Sequence, residues 1–584
     1  MNFLRNLFAS IFGTLIALGI IFMLFVLIVS TISESETVTV KSNSILEISL
    51  DSKIKDFAPK SDNPLNELFD FKDDKIGLGE IINAIENAKG DANIRGISIK
   101  LSGIQGGIAQ TQAIRNKLEE FKETGKFIKA YADFYDQKSY YLSSVADSIF
   151  VNPFGGVDFK GLSSEVLYYK DIEDKTGVKM EVIRHGKYKS AVEPYLYNQM
   201  SENNREQITA FLKSIWNEML VNISKNRNIS IAELNIIADN LLARNADLAV
   251  ENNMVDAKIY LDEYNEKLNW AVGLSVDDKL HKISMKDYIA TGKGRVISSS
   301  ANKIAVIYAQ GELLYGKGNE DYIGQDLIIN ALKKARETSS VKAIVLRINS
   351  PGGVALTGEL IWRELEITKL KLPVVVSMGN VAASGGYYIA CNANKIFAES
   401  TTITGSIGVF GMIPNISQLA DKIGINAEQV ATNKGPNYSV FEPMTDEFRV
   451  VTKEGVEQVY NTFLERVAKG RGMLVAEVDS IAQGRVWSGI EALKNGLVDE
   501  IGSLDDAIAY AAELVNITDF RVRNYPDYNL GLEDKLSNFP FMKSKEKILI
   551  EEIGEANYKT YQSIKQISRL KGIQARIPFI IDIK

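Results

Sequence analysis

At 584 residues the chain is too long for one hydrophobic core, and 45% hydrophobic with 24% charged residues describes ordinary globular domains rather than a disordered or fibrous protein. A net charge of −7 without basic blocks or arginine-rich arms argues against a nucleic-acid partner. The two histidines, His185 and His281, sit outside any HExxH or CxxC pattern, so neither a histidine-ligated metal nor another cofactor is expected, and the single cysteine, Cys391, excludes an internal disulfide.

In chain order, the first element is a membrane span. Residues 7–33 carry no charge and exceed the ~30 Å of a bilayer core at ~1.5 Å per residue. The run is too long and its exit too poor for a cleaved signal peptide, which has an apolar region of ~7–15 residues. Arg5 precedes the span while Glu34 and Glu36 follow it, which leaves the body outside the cytoplasm. Strand Ser44–Leu50, helix 80–89, strand Gly96–Leu101, helix 108–122 and strand Phe127–Ala132 then alternate as in a parallel α/β sheet. A long helical pattern over 201–225 closes this first unit, and residues 277–302, polar with three serines at 298–300, form a linker.

The series then repeats. Strand Lys303–Tyr308, helix 326–337, strand Ala343–Ile348, the breaker Asn349-Ser-Pro-Gly-Gly353, a helix near 355–368, strand Pro373–Ser377, a helix opening at Ser384 and a long helix over 447–470 follow one another. Residues 327–348 align without a gap on 80–101 at an offset of 247. The same offset lays Tyr387, Tyr388, Ala393, Ile396 and Phe397 on Tyr140, Tyr141, Ala146, Ile149 and Phe150, so the fold unit is duplicated. The expected organisation is an anchor at 1–33, a first repeat at 34–290, a second at 300–525 and an extension at 526–584. The extension combines an amphipathic helix with an apolar end, Ile577–Ile581, and its role is not legible.

Each repeat keeps half of a catalytic pair. Ser384, in Asn380-Val-Ala-Ala-Ser-Gly-Gly-Tyr-Tyr388, falls opposite Gln137. Lys189, in Gly186-Lys-Tyr-Lys-Ser-Ala-Val-Glu-Pro194, falls opposite Pro436, or Tyr438 if the Glu-Pro pairs are matched. A serine nucleophile needs a base and oxyanion donors. A strand, turn and helix start would put Ser384 at a positive helix end, with the Gly385 amide and the glycines 352 and 353 at hand as donors. Taken alone, Ala-Ser-Gly-Gly reads equally as tight packing of a helix start on a sheet. His185 would be the default base, but a triad also needs an orienting carboxylate. A lysine serves only if its pKa falls from ~10.4 toward ~7–8, which needs a buried amine without an acidic partner. Lys189, among Ser190, Ala191 and Val192, fits that requirement; Lys187 is the competing candidate. Cys391, seven residues after Ser384 in an apolar stretch, reads as a buried structural thiol.

The motifs Tyr188-Lys-Ser-Ala-Val-Glu-Pro194, Asn349-Ser-Pro-Gly-Gly353, Ala382-Ala-Ser-Gly-Gly-Tyr-Tyr388 and Gly405-Ser-Ile-Gly408 resemble the signal peptide peptidase A family, serine proteases of the Clp/crotonase superfamily, in its long two-repeat bacterial form. The resemblance implies two tandem Clp/crotonase-like α/β domains after one transmembrane helix. It implies Ser384 as nucleophile, Lys189 as general base, Ser406 as the group that orients the lysine, and Gly353 with Gly385 as the oxyanion hole. It further implies a homotetramer in the bacterial inner membrane, N-terminus cytoplasmic and body periplasmic, that degrades cleaved signal peptides or other apolar peptides. The fold leaves open an acyl-thioester-binding protein and an inactive membrane scaffold.

Overall fold

A computed structural model describes residues 2–32, 38–59, 75–275, 278–433, 435, 438–528, 554 and 573–577. Glu34 and Glu36 lie outside them, as do most of residues 526–584 with the amphipathic pattern read there. The first element is a continuous helix, Asn2–Ile32, of which Arg5–Leu24 is long and apolar enough to cross a membrane, with a mean hydropathy of 2.5 and no part of it buried against the protein.

Two α/β halves follow. In the first, parallel strands run in the order 257–258, 148–151, 127–132, 94–100, 44–48 and 282–284. In the second, the equivalent path is 500–501, 395–398, 374–383, 341–350, 303–310 and 521–525, again parallel. The register of the duplication holds in three dimensions. Helix Leu78–Gly90 buries Ile81, Ala84, Ile85 and Ala88, and helix Gln325–Glu337 buries Ile328, Ala331, Leu332 and Ala335 at the same turns. This spacing turns one apolar face onto the sheet. The sheet cores match likewise, with Ile97, Ile99, Ile114 and Leu118 in one half and Ile344, Leu346, Ile361 and Leu365 in the other, all at most 1% exposed.

Three elements differ from expectation. Residues 277–302 are more than a linker, because Lys282–Ser284 is the edge strand of the first sheet and Met285–Tyr288 a helical turn. Only Ile283 of that strand is buried, too short an apolar signal to read as a strand. The strand expected to end at Ser377 continues to Ala383, where its far end pairs with Ile403–Gly405. The helix expected from Ser384 is a single turn, Gly385–Tyr388.

A third sheet joins the halves, in the order 322–324, 312–314, 352–354, 573–576, 409–415 and 179–185. Strand Lys179–His185 of the first half runs antiparallel to Val409–Asn415 of the second over seven paired residues. Side chains reinforce the junction. Arg347 is 2% exposed and donates to Asp56 Oδ1 at 3.1 Å, and Gln112 of the first half donates to Ser400 Oγ at 2.5 Å. The halves are therefore held in one arrangement, and the residues of interest lie at their seam.

Candidate active site

Ser384 sits where the extended strand Val374–Ala383 turns over. Its N–H donates to Gly405 O at 2.8 Å, and its carbonyl accepts from Tyr388 N at 2.8 Å. The backbone there has φ +55° and ψ −115°, a conformation that residues with a Cβ avoid at a cost of ~1–3 kcal/mol. One helical turn carries little macrodipole, so the positive helix end expected from the sequence is not what polarises this serine. The corner itself aims the hydroxyl: Ser384 is 0% exposed and its Oγ lies 3.4 Å from Gly408 O.

Gly352 and Gly353 lie beside this corner with φ +96° and +153°, where L side chains are strained. A methyl on Gly353 would stand 2.1 Å from Leu313 O, so only glycine fits. The two amides of interest are close neighbours, since a methyl built on Gly385 would lie 3.3 Å from Gly353 N and one on Gly352 would lie 2.7 Å from Gly385 N.

Lys189 arrives from the other half. Strand Lys179–His185 delivers the chain to Gly186, whose φ of +101° turns it, and Tyr188 N then donates to Gln483 O at 2.9 Å. Gly484 permits the approach, because a methyl there would stand 2.7 Å from Lys189 N. The Lys189 amine ends 2.8 Å from Ser384 Oγ, and 3.1 Å from both the hydroxyl and the carbonyl oxygen of Ser406. It is 0% exposed, and burial alone pushes its pKa well below the ordinary lysine range. The nearby carboxylate Glu193 is engaged elsewhere, accepting from Ser201 Oγ at 2.6 Å and lying 3.6 Å from Arg184 Nη1. Among the described residues no acid is paired with the Lys189 amine. All five residues singled out in the sequence, Ser384, Lys189, Ser406, Gly353 and Gly385, thus meet at one seam within a single chain.

The other candidates lie differently. His185 stacks on Tyr460 with ring centroids 4.0 Å apart, and the Lys187 amine lies over the Tyr188 ring at 5.1 Å. Cys391 is buried, donates to Tyr388 O at 3.2 Å and has its thiol pushed up to about 12 by that burial. Gln137, opposite Ser384 in the first half, is locked by its own neighbours. Its amide nitrogen donates to Gly161 O at 3.1 Å, and its oxygen accepts from Lys160 N at 3.1 Å and Gly161 N at 3.0 Å. Gly161 corresponds to Gly408 at the offset of 247, so a glutamine clamp fills in the first half the position that the serine holds in the second.

Gln207 was not singled out in the sequence. It is fully buried on helix Glu202–Arg227, and its Nε2 donates to Tyr188 O at 3.0 Å and Ser190 Oγ at 3.1 Å on either side of Lys189. Its Oε1 accepts from Val486 N of the second half at 3.3 Å. A polar residue on the face that also carries Ile208, Phe211 and Ile215 was the available signal.

Residues 120–275 and 366–518 each match Peptidase family S49, one match in each half. Protease 4 of Haemophilus influenzae is 36% identical over 554 residues, covering 91% of this chain and 89% of that protein. The chloroplastic serine protease SPPA of Arabidopsis thaliana is 31% identical over 449 residues, 76% of this chain and 66% of that one. A putative signal peptide peptidase SppA of Enterococcus faecium matches at 34% over 241 residues, 41% of this chain and 68% of that one. Among solved structures, a ClpP1 mutant from Listeria monocytogenes covers 35% of this chain and 94% of its own at 18% identity, with a TM-score of 0.24.

Proposed function

The chain belongs to Peptidase family S49, and from that premise we propose that it is a membrane-anchored serine endopeptidase in which Ser384 is the nucleophile and Lys189 the general base. The observation that carries this reading is the 2.8 Å contact between a buried, acid-free amine and a strained serine hydroxyl. A neutral Lys189 takes the proton of Ser384 as the hydroxyl oxygen attacks a peptide carbonyl. The Gly353 and Gly385 amides receive the developing oxyanion, and such donors are worth about 3–4 kcal/mol each. Lys189 then returns the proton to the departing amine, leaving an acyl group on Ser384, and water attacks that ester by the same route in reverse. Ser406 offers its hydroxyl and carbonyl oxygens to Nζ and so holds the amine on the serine.

The apolar amino-terminal helix fixes the body beside a bilayer, with positive Arg5 on the cytoplasmic side. A protease so tethered suits apolar peptides left in the membrane by secretion, and cleaved signal peptides are the proposed substrates, taken by a homotetramer in the bacterial inner membrane. Alanine at Ser384 or at Lys189 should each abolish hydrolysis of a signal-peptide-like substrate, and a fluorophosphonate should label Ser384 in the parent but not in Ser384→Ala. Hydrolysis that persists without Ser384 refutes the assignment.

A further inference from the structure

A cavity of about 450 Å³, within the size range of small-ligand sites, lies at the seam and takes no part in the chemistry described above. Lys53, Gly106 and Lys138 of the first half and Asn349 and Asn380 of the second are among its walls. Its acids are already engaged: Asp56 pairs with Arg347 at 3.1 Å, Glu320 with Lys75 at 2.9 Å and Asp321 with Lys55 at 2.8 Å. Lys53 and Lys138 are left with no carboxylate at ion-pair distance among the described residues.

The remaining groups are donors. Lys138 Nζ donates to Ile104 O at 3.3 Å and to Gly106 O at 3.1 Å, which leaves one of its three N–H bonds. Asn349 Oδ1 accepts from Val381 N at 3.2 Å and Asn380 Oδ1 from Gln110 N at 3.0 Å, so each side chain keeps its nitrogen to donate. The Gly106 amide has no acceptor among the described residues. Positive charge and convergent N–H groups are the complement of a carboxylate. At the offset of 247 Gly106 falls on Gly353 and Lys138 on Gly385. Where the second half sets two amides for the proposed oxyanion, the first sets an amide and an ammonium, which suits a permanent anion rather than a transient one.

The cavity stands one short peptide away from the serine. Asn380 precedes Ser384 by four residues on an extended strand, a span of at most about 13 Å at ~3.3 Å per residue, and Asn349 precedes Gly353 by four. Three or four residues of extended chain cover that distance. Strand Ile573–Arg576 runs antiparallel to Gly352–Val354 and continues to Ile577 N on Pro351 O at 2.9 Å. A peptide taking the same direction places the residues after its cleaved bond on the side of Pro351 and Asn349. We propose that this cavity binds the α-carboxylate of the peptide being cut, three or four residues beyond the cleaved bond. The proposal rests on the serine protease reading above and deepens it: the enzyme selects peptides that end there, as a signal peptide does once released, over the same sequence continuing into a longer chain.

The test uses the full-length protein in detergent and two fluorogenic peptides of one apolar sequence, with four residues after the cleaved bond, one ending in a carboxylate and the other in a carboxamide. In the parent the carboxylate peptide should have a KM at least about tenfold lower, with kcat alike for the two. The ratio of the two KM values should fall to about one in Lys138→Met and shrink in Lys53→Gln. Asn380→Asp keeps the acceptor for Gln110 N and adds a negative charge, so the preference should reverse. Equal KM values in the parent overturn the carboxylate site and leave the protease reading standing, whereas hydrolysis of neither peptide overturns both. A preference that survives in Lys138→Met and in Asn380→Asp overturns the placement in this cavity. An amidated peptide ending in glutamate that matches the carboxylate peptide overturns the assignment to the chain terminus.

Discussion

Replacement of Lys189 by methionine separates the proposed base from the residue that merely fills its space. Methionine keeps an unbranched apolar stem of similar volume and removes the titrating amine. The native amine is fully buried against Ser384 Oγ and the two Ser406 oxygens, and its pKa is depressed by burial. In the unfolded chain it titrates near the ordinary lysine value. Between these two pKa values the unfolded state holds a proton that the folded state has shed, so stability rises with pH across that window. For one proton the slope is about 1.4 kcal/mol per pH unit. The unfolding free energy of the parent minus that of Lys189→Met should climb at that rate, while hydrolysis is lost in the variant at every pH. Urea titrations followed by tryptophan fluorescence at pH 7, 8 and 9 measure the difference. A flat or falling difference would mean that the amine is charged and paired, and the neutral-base mechanism would fail with it.

Gln207→Leu should slow turnover at least about tenfold with little change in KM, since the Gln207 amide holds the residues on either side of Lys189 and does not touch Ser384. It removes the buried acceptor of Val486 N, at about 1–3 kcal/mol, a loss visible in the urea midpoint, while Tyr188 O keeps Ser190 N as a donor. Ser406→Ala should lower kcat about 10- to 100-fold and disturb the pH–rate profile, because one of the oxygens holding Nζ is gone. Glu399, 2% exposed with its pKa raised to about 8 by burial, keeps its proton while the unfolded chain releases one above the usual carboxylate range. Stability is therefore lost as pH rises from about 4.5 to about 8, and Glu399→Gln should be the more stable protein at pH 7 by about 3 kcal/mol. Equal stabilities at pH 5 and at pH 7 would contradict this.

The duplicated architecture was legible because both copies carry buried residues at the spacing of one helix face, as at Ile81, Ala84, Ile85 and Ala88 and again 247 residues later. Ser384 and Lys189 were legible through loss, since each repeat lacks what the other retains; Gly353 and Gly385 were legible as amide donors beside the serine, and Ser406 only through the resemblance carried by Gly405-Ser-Ile-Gly408. Local geometry was not. Nothing in Val-Ala-Ala-Ser foretells a strand running directly into a strained corner at Ser384, because the extension is held by distant pairing with Ile403–Gly405. Gln207 was hidden because its value lies in two contacts, on Tyr188 and Val486, that sequence does not bring together. The strand Ile573–Arg576 was hidden for the same reason: Ile-Gln-Ala-Arg has no length and little pattern, and its structure comes from the two edges it fills.

The seam between strand Lys179–His185 and strand Val409–Asn415 has a consequence for biogenesis. A polypeptide leaves the ribosome amino end first, and its domains fold in that order. The proposed base is made 195 residues ahead of the proposed nucleophile and waits, harmless, in a half that holds a glutamine at the position matching the serine. On the proposed mechanism, hydrolytic power arises only when the later half has been completed and has docked on the earlier one, so an unfinished copy cannot digest its neighbours.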